Sequence, residues 1–80
     1  MKLRHKVVAV WWGDAFIDTD DFTDEDATKT KPVGRKTVGL LIAKNQHGYV
    51  LATDEYDLKK DGVAGKLFIP HGMVKEYKEL

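Results

Sequence analysis

Eighty residues, 42% hydrophobic and 32% charged, have the balance of one soluble globular domain with a thin core, since short chains bury a smaller share of their surface. The sequence has no cysteine, which excludes disulfides and thiolate chemistry, and no serine, which removes the commonest hydroxyl nucleophile. The longest unbroken apolar run, Val7 to Trp12, is too short for a signal-peptide core or a bilayer span, so a cytoplasmic protein without membrane association is expected. A core this small leaves little margin, and association into a homo-oligomer is one way small scaffolds gain stability.

The net charge of zero conceals an asymmetry. Asp14 to Asp26 holds seven acidic residues and no basic one, leaving thirteen basic against six acidic side chains elsewhere. Lys29, Lys31, Arg35 and Lys36 follow the acidic stretch directly. An acidic block beside a basic one points to local self-neutralisation before it points to a partner.

Residues 3–12 read as a first strand. Val8, Val10 and Trp12 alternate on one face and Val7, Ala9 and Trp11 on the other. With both faces apolar, the strand is central or covered; Val8, Val10 and Trp12 are expected in the core, with Trp11 partly exposed. Gly13-Asp14 ends it. Periodicity then stops, and residues 13–36 read as a long acidic-then-basic loop, of the kind that is usually functional or disordered. Phe16, Ile17 and Phe22 are apolar anchors able to pin it over the body. Thr23-Asp24-Glu25-Asp26 is a weak match to a capping box for one helical turn, and Lys31-Pro32 ends any such turn.

Thr37 to Thr53 is the stretch around which the chain is organised. Two β-favouring runs, 37–44 and 48–54, flank the polar tip Lys44-Asn45-Gln46-His47-Gly48 and read as a β-hairpin. Val38, Leu40, Ile42, Val50 and Ala52 are assigned to packing, and Gly39 to a bend or a close backbone approach. A polar connection from Asp54 to Gly65 follows, with a turn at Lys59-Lys60-Asp61-Gly62. Residues 66–70 form a fourth strand stopped by Pro70, His71-Gly72-Met73 a tight turn, and 74–80 a fifth strand.

Five strands, a long first loop, and the segments Val38-Gly39-x-Leu41, Val50-Leu51 and Leu67-x-Ile69-Pro70-x-x-x-Val74 resemble the SH3-like and Sm-like small β-barrels. The expected fold is all-β, a strongly bent five-stranded barrel with an acidic loop after its first strand. Val10-x-Trp12-x-Asp14-Ala15, Val38-Gly39, and Ile69-Pro70 with Leu80 also resemble small proteins encoded by bacteriophages and prophages. At Asp21-Phe22 the chain departs from the Gly-Trp that those relatives tend to carry, a difference that falls on the contacts of the first loop. The resemblance implies a viral accessory origin and brings no catalytic residues with it.

Asp18, Asp20 and Asp24 are the oxygen-rich candidates for a divalent cation. A calcium loop requires glycine at its sixth position and glutamate at its twelfth, whereas counting from Asp18 gives Thr23 and Lys29, so no metal is assigned. The same acidic run could imitate a nucleic-acid backbone and attract a basic groove. His5, His47 and His71 form no paired ligand motif and read as surface or structural residues, His71 being notable beside Pro70. Gly62-Val63-Ala64-Gly65-Lys66 is too short for a phosphate loop and leads into a strand, so it is a turn. No nucleophile–base pair is visible, and neither enzyme activity nor a cofactor is expected. Trp11, Tyr49, Tyr56 and Phe68 beside lysines would suit single-stranded RNA, but a pI near 6.8 argues against a nucleic-acid partner.

The leading expectation is a non-enzymatic, phage-encoded accessory protein that binds a host protein, in counter-defence or host takeover. Its candidate contact residues are Trp11, Asp14, Asp18, Asp20, Asp21, Phe22, Asp24, Arg35, Lys36, His47 and His71. An oligomeric sponge for a small nucleotide immune signal and an Sm-like RNA-binding module are the alternatives.

Overall fold

The computed structural model describes residues 1–80. In chain order the elements are β1 (Val7–Asp14), α1 (Asp24–Lys29), β2 (Val33–Lys44), β3 (Gly48–Ala52), β4 (Asp54–Glu55), β5 (Val63–Ala64), β6 (Leu67–Pro70) and β7 (Val74–Glu79). Single 3-10 turns at Lys59–Asp61 and His71–Met73 occupy both positions where turns are expected. Five strands form one antiparallel sheet in the order β6-β3-β2-β1-β7, and β4 pairs with β5 in a separate two-stranded ribbon.

The all-β expectation therefore holds, but the sheet is not closed, because the end strands β6 and β7 do not pair with each other. β6 stops at Pro70, and a 3-10 turn leads straight into β7, so the end strands are joined by the chain and not by a ladder. Curvature comes from two irregularities. Ile42 is an extra residue in β2 between the pairs Leu41↔Leu51 and Ala43↔Val50, and the β1–β7 register shifts between Trp11 and Trp12.

The core lies on one face of this sheet. Val8, Val10, Trp12, Tyr49, Leu51 and Ile69 form its buried cluster, with Leu41, Leu67, Val74 and Tyr77 packed around them. Each fully buried aliphatic side chain contributes roughly 1.5–3 kcal/mol relative to exposure, so these few residues carry much of the stability. The Trp12 indole N–H donates to Thr37 Oγ1 across the strand pair at 2.9 Å, which satisfies the polar atom of a buried aromatic. Tyr49 stacks on Tyr77 with ring centroids 4.8 Å apart.

Several element boundaries differ from those expected. β1 begins at Val7, not at residue 3, because Arg4 and His5 bond to a side chain instead of a neighbouring strand. It continues through Gly13 to Asp14, and β2 begins at Val33, so the connection spans 15–32 and not 13–36. Here Trp11, Trp12, Gly13 and Asp14 pair with Lys36, Arg35, Gly34 and Val33, a ladder of backbone bonds indifferent to the polar side chains of β2. Strand three ends at Ala52, since the Thr53 N–H turns to the carbonyls of Ala64 and Gly65.

The packing face of the hairpin also needs correction. Val38 is 63% exposed, and Val50 lies on the same outward face, whereas Tyr49 and Leu51 enter the core. Leu40 and Ala52 are nevertheless buried. The run Gly39-Leu40-Leu41-Ile42-Ala43 is apolar at every position, so alternation alone did not choose a face; the register that sets Gly39 opposite Val8 and Leu41 opposite Leu51 did. Gly39 sits opposite Val8 at a close backbone approach, as a Cβ there would lie 3.1 Å from the Ala52 carbonyl oxygen. Gly48 is tighter still: a Cβ would fall on the Ile69 carbonyl.

Candidate functional site

The connection between β1 and β2 is an arm. Its base is rigid: the ladder runs out to Asp14↔Val33, and Arg35 Nε donates to Asp14 Oδ2 at 2.7 Å. Beyond it the chain carries a short helix whose ends follow from local chemistry. Thr23 Oγ1 accepts from the Asp26 N–H while Asp26 Oδ2 accepts from the Thr23 N–H, a complete capping box with aspartate in the glutamate position. The weakly matched turn is thus a formed helix. Asp24, Glu25 and Asp26 fill its first turn and Lys29 its last, each sign placed where the helix dipole favours it. Lys29 pairs with Glu25 at 3.3 Å, an exposed contact of small energy.

No residue of this helix is buried. Nor do the supposed anchors pin the arm to the body: Phe16, Ile17 and Phe22 are 48%, 94% and 73% exposed. The arm reaches outward, stretching the molecule to 53 × 23 × 23 Å with a radius of gyration of 16.2 Å. About 12 Å would be usual for a compact chain of this length. Between the helix and the preceding segment lies an open groove of about 880 Å³, with Phe16, Phe22 and Pro32 among its apolar residues and Asp18, Asp20, Asp21 and Asp26 among its acidic ones.

Self-neutralisation is partial. Asp14 and Glu25 have cation partners, and Asp18 Oδ1 accepts the Asp20 N–H, but Asp20, Asp21 and Asp24 make no ion pair. No group of three or more His, Asp or Glu side chains converges in a way that could hold a metal ion.

The other candidates fall elsewhere. Trp11 lies half-buried on the outer face of the sheet, directly opposite Lys36 on one side and Glu76 on the other. Val38 and Phe68, the latter 44% exposed, share that face with Val50. His47 and His71 come together where the hairpin tip meets the proline turn. Asn45 Oδ1 accepts the N–H groups of His47 and Gly48, closing the tip as an Asx turn. The His71 N–H donates to the His47 carbonyl, and its Nε2 donates to the Asn45 carbonyl at 2.7 Å, which places the ring proton on Nε2. The ring also meets Tyr49 edge-on at 5.2 Å. His71 is a structural clasp.

One constellation has no local signature in the sequence. The Glu55 carboxylate, only 8% exposed, accepts the backbone N–H groups of Arg4 and His5 as well as His5 Nδ1 at 3.1 Å. The Arg4 guanidinium donates to the Tyr56 and Gly62 carbonyls, so the N-terminal segment is latched to the β4–β5 ribbon. Hydrogen bonds from the Arg4 backbone, reinforced by His5 and by the Arg4 charge, hold the Glu55 carboxyl below the usual carboxylate range against the opposing effect of burial. Burial, with smaller contributions from Glu79 and Tyr49, pushes the Tyr77 hydroxyl up, with Lys6 opposing. Partners some fifty residues apart cannot be matched by spacing, which is why sequence reasoning passed over Glu55.

Comparison of the chain with protein-family models, curated proteins and solved structures finds no match in any of the three.

Proposed function

We propose that the protein is a non-enzymatic, phage-encoded accessory binding protein whose arm, residues 15–32, engages a host bacterial protein. The observation that carries this reading is the arm's combination of exposed Phe16, Ile17 and Phe22 with unpaired Asp20, Asp21 and Asp24 on a rigid base. Ile17 and Phe22 bury little surface where they stand, and large apolar groups rimmed by charge are the anatomy of recognition surfaces. A basic cleft with apolar subsites is the complementary partner chemistry. The strand order β6-β3-β2-β1-β7, with a 3-10 turn before the last strand, supports an opened SH3-like scaffold for the arm.

The test is affinity capture from bacterial lysate with the wild-type chain and with a Phe16→Ala, Ile17→Ala, Phe22→Ala variant. Specific retention of one protein by the wild type, lost in the variant and weakened by salt, is expected. Equal recovery by both forms would exclude the arm as the recognition element.

A further inference from the structure

The molecule carries a surface complementary to the arm: the outer face of the sheet. Val7, Ala9 and Trp11 of β1 share that face with Lys36, Val38 and Leu40 of β2, Val50 and Ala52 of β3, and Phe68 of β6, as direct pairing partners must. Lys78 stands opposite Ala9 on the same face, with Glu76 the acid among its charges. Trp11, Val38 and Phe68 leave apolar surface open here, although Ala9, Leu40 and Ala52 on the same face are buried within the molecule.

Charge divides the molecule along the same line. Residues 15–32 carry six acidic and two basic side chains, and the rest of the chain eleven basic and seven acidic, so an arm of net −4 adjoins a body of net +4. Within one molecule the two halves meet in a single ion pair, Arg35 with Asp14 at the base of the arm, and the acids beyond it have no cation of the body as partner. The ladder from Trp11↔Lys36 to Asp14↔Val33 keeps the base of the arm extended away from the core, and Pro32 packs against Gly13, where an added Cβ would come within 2.9 Å.

We infer that the outer sheet face binds the acidic arm of a second copy of this chain. Phe16, Ile17 and Phe22 of one copy cover Trp11, Val38 and Phe68 of the next, and Asp20 and Asp21 meet Lys36 and Lys78. Aromatic side chains bury about 150–250 Å² each. Phe16, Ile17 and Phe22 on one side and Trp11, Val38 and Phe68 on the other, several of them already half covered in their own molecule, supply part of the roughly 800 Å² per partner of a standard interface. The contact joins two different surfaces, so it closes by reciprocal exchange of arms or extends to further copies. It uses the same arm side chains as the host-protein reading, so a second copy and a host protein would compete for them; the solution mass of the purified chain tests the first contact and capture from lysate the second.

The experiment is the solution mass of the full chain by light scattering and sedimentation at low and high ionic strength. A mass above the 9.1 kDa protomer at low salt, falling as salt rises, is expected. Asp20→Lys with Asp21→Lys, and separately Lys36→Glu with Lys78→Glu, should each weaken association roughly tenfold or more. Mixing these two variants should restore it, because each then offers an opposite charge to the other. Phe22→Ala, which disturbs no core residue, should also return the protein to protomers. A wild-type protomer at low salt, association insensitive to all three variants, or failure of the mixture to recover would each overturn the inference. So would a permanently monomeric chain that retains single-stranded RNA through Lys36 and Lys78, which would assign the face to nucleic acid.

Discussion

The sheet body and the arm obey different rules. In the body, six buried side chains and a continuous hydrogen-bond ladder determine each position, so a residue there is constrained by neighbours distant in sequence. In the helix of the arm, the hydrogen bonds and ion pairs are local: a capping box, an i,i+4 ion pair, and two threonine hydroxyls bonded to carbonyls of the preceding turn. A six-residue helix with no buried face is marginal in water on its own. It stands on a two-stranded base with its apolar side chains left exposed, held by local bonds and not by a buried face.

The contrast predicts sharply unequal costs of substitution. Gly48→Ala should be the most damaging change, about 4 kcal/mol, because the new methyl group would overlap the Ile69 carbonyl of β6 and force that strand off its ladder with β3. Chemical denaturation measures it, and a loss under 1 kcal/mol would mean the β3–β6 edge is looser than its geometry. Ile69→Ala should follow at about 3 kcal/mol, the cost of a cavity at a fully buried site. Thr37→Val should cost about 1–2 kcal/mol by leaving the Trp12 indole N–H without its acceptor. The accompanying change in tryptophan fluorescence locates the effect at that ring.

Acid should act on the latch between the N-terminal segment and the ribbon. The Glu55 carboxyl is depressed in the folded state, so the unfolded chain binds the proton first as pH falls. The stability it contributes is present above the ordinary carboxylate range and is lost as pH drops through the lower folded value. Glu55→Gln should flatten that part of the pH–stability profile, and an unchanged profile would show that the latch does not couple to folding.

The smallest effect belongs to the arm. Thr23→Ala removes the cap and should cost the helix about 1 kcal/mol locally while shifting global unfolding by less than about 0.5 kcal/mol. Helicity by NMR chemical shifts separates the two. A large global loss would erase the distinction between the two regions.

Much of the body was legible in the sequence because its signals are local. The Val8-x-Val10-x-Trp12 alternation, the Asn45 to Gly48 tip, the Lys59 to Gly62 and His71 to Met73 turns, and the final strand all lie where residue chemistry put them. The arm's charge and exposed aromatics were equally visible, but their spatial role was not. Phe16, Ile17 and Phe22 look like anchors in a string of residues, and only the ladder at Gly13 and Asp14 shows that they are carried away from the body.

By itself, then, the sequence determined a small all-β domain, its principal strands, and a segregated acidic segment, since alternation, turn residues and charge are properties of neighbours. The tertiary structure decided which face of an apolar strand enters the core, that Glu55 grips Arg4 and His5, that the sheet stays open at β6 and β7, and that the arm projects. Each of those depends on groups far apart along the chain, and no local pattern records which distant partner a residue will meet.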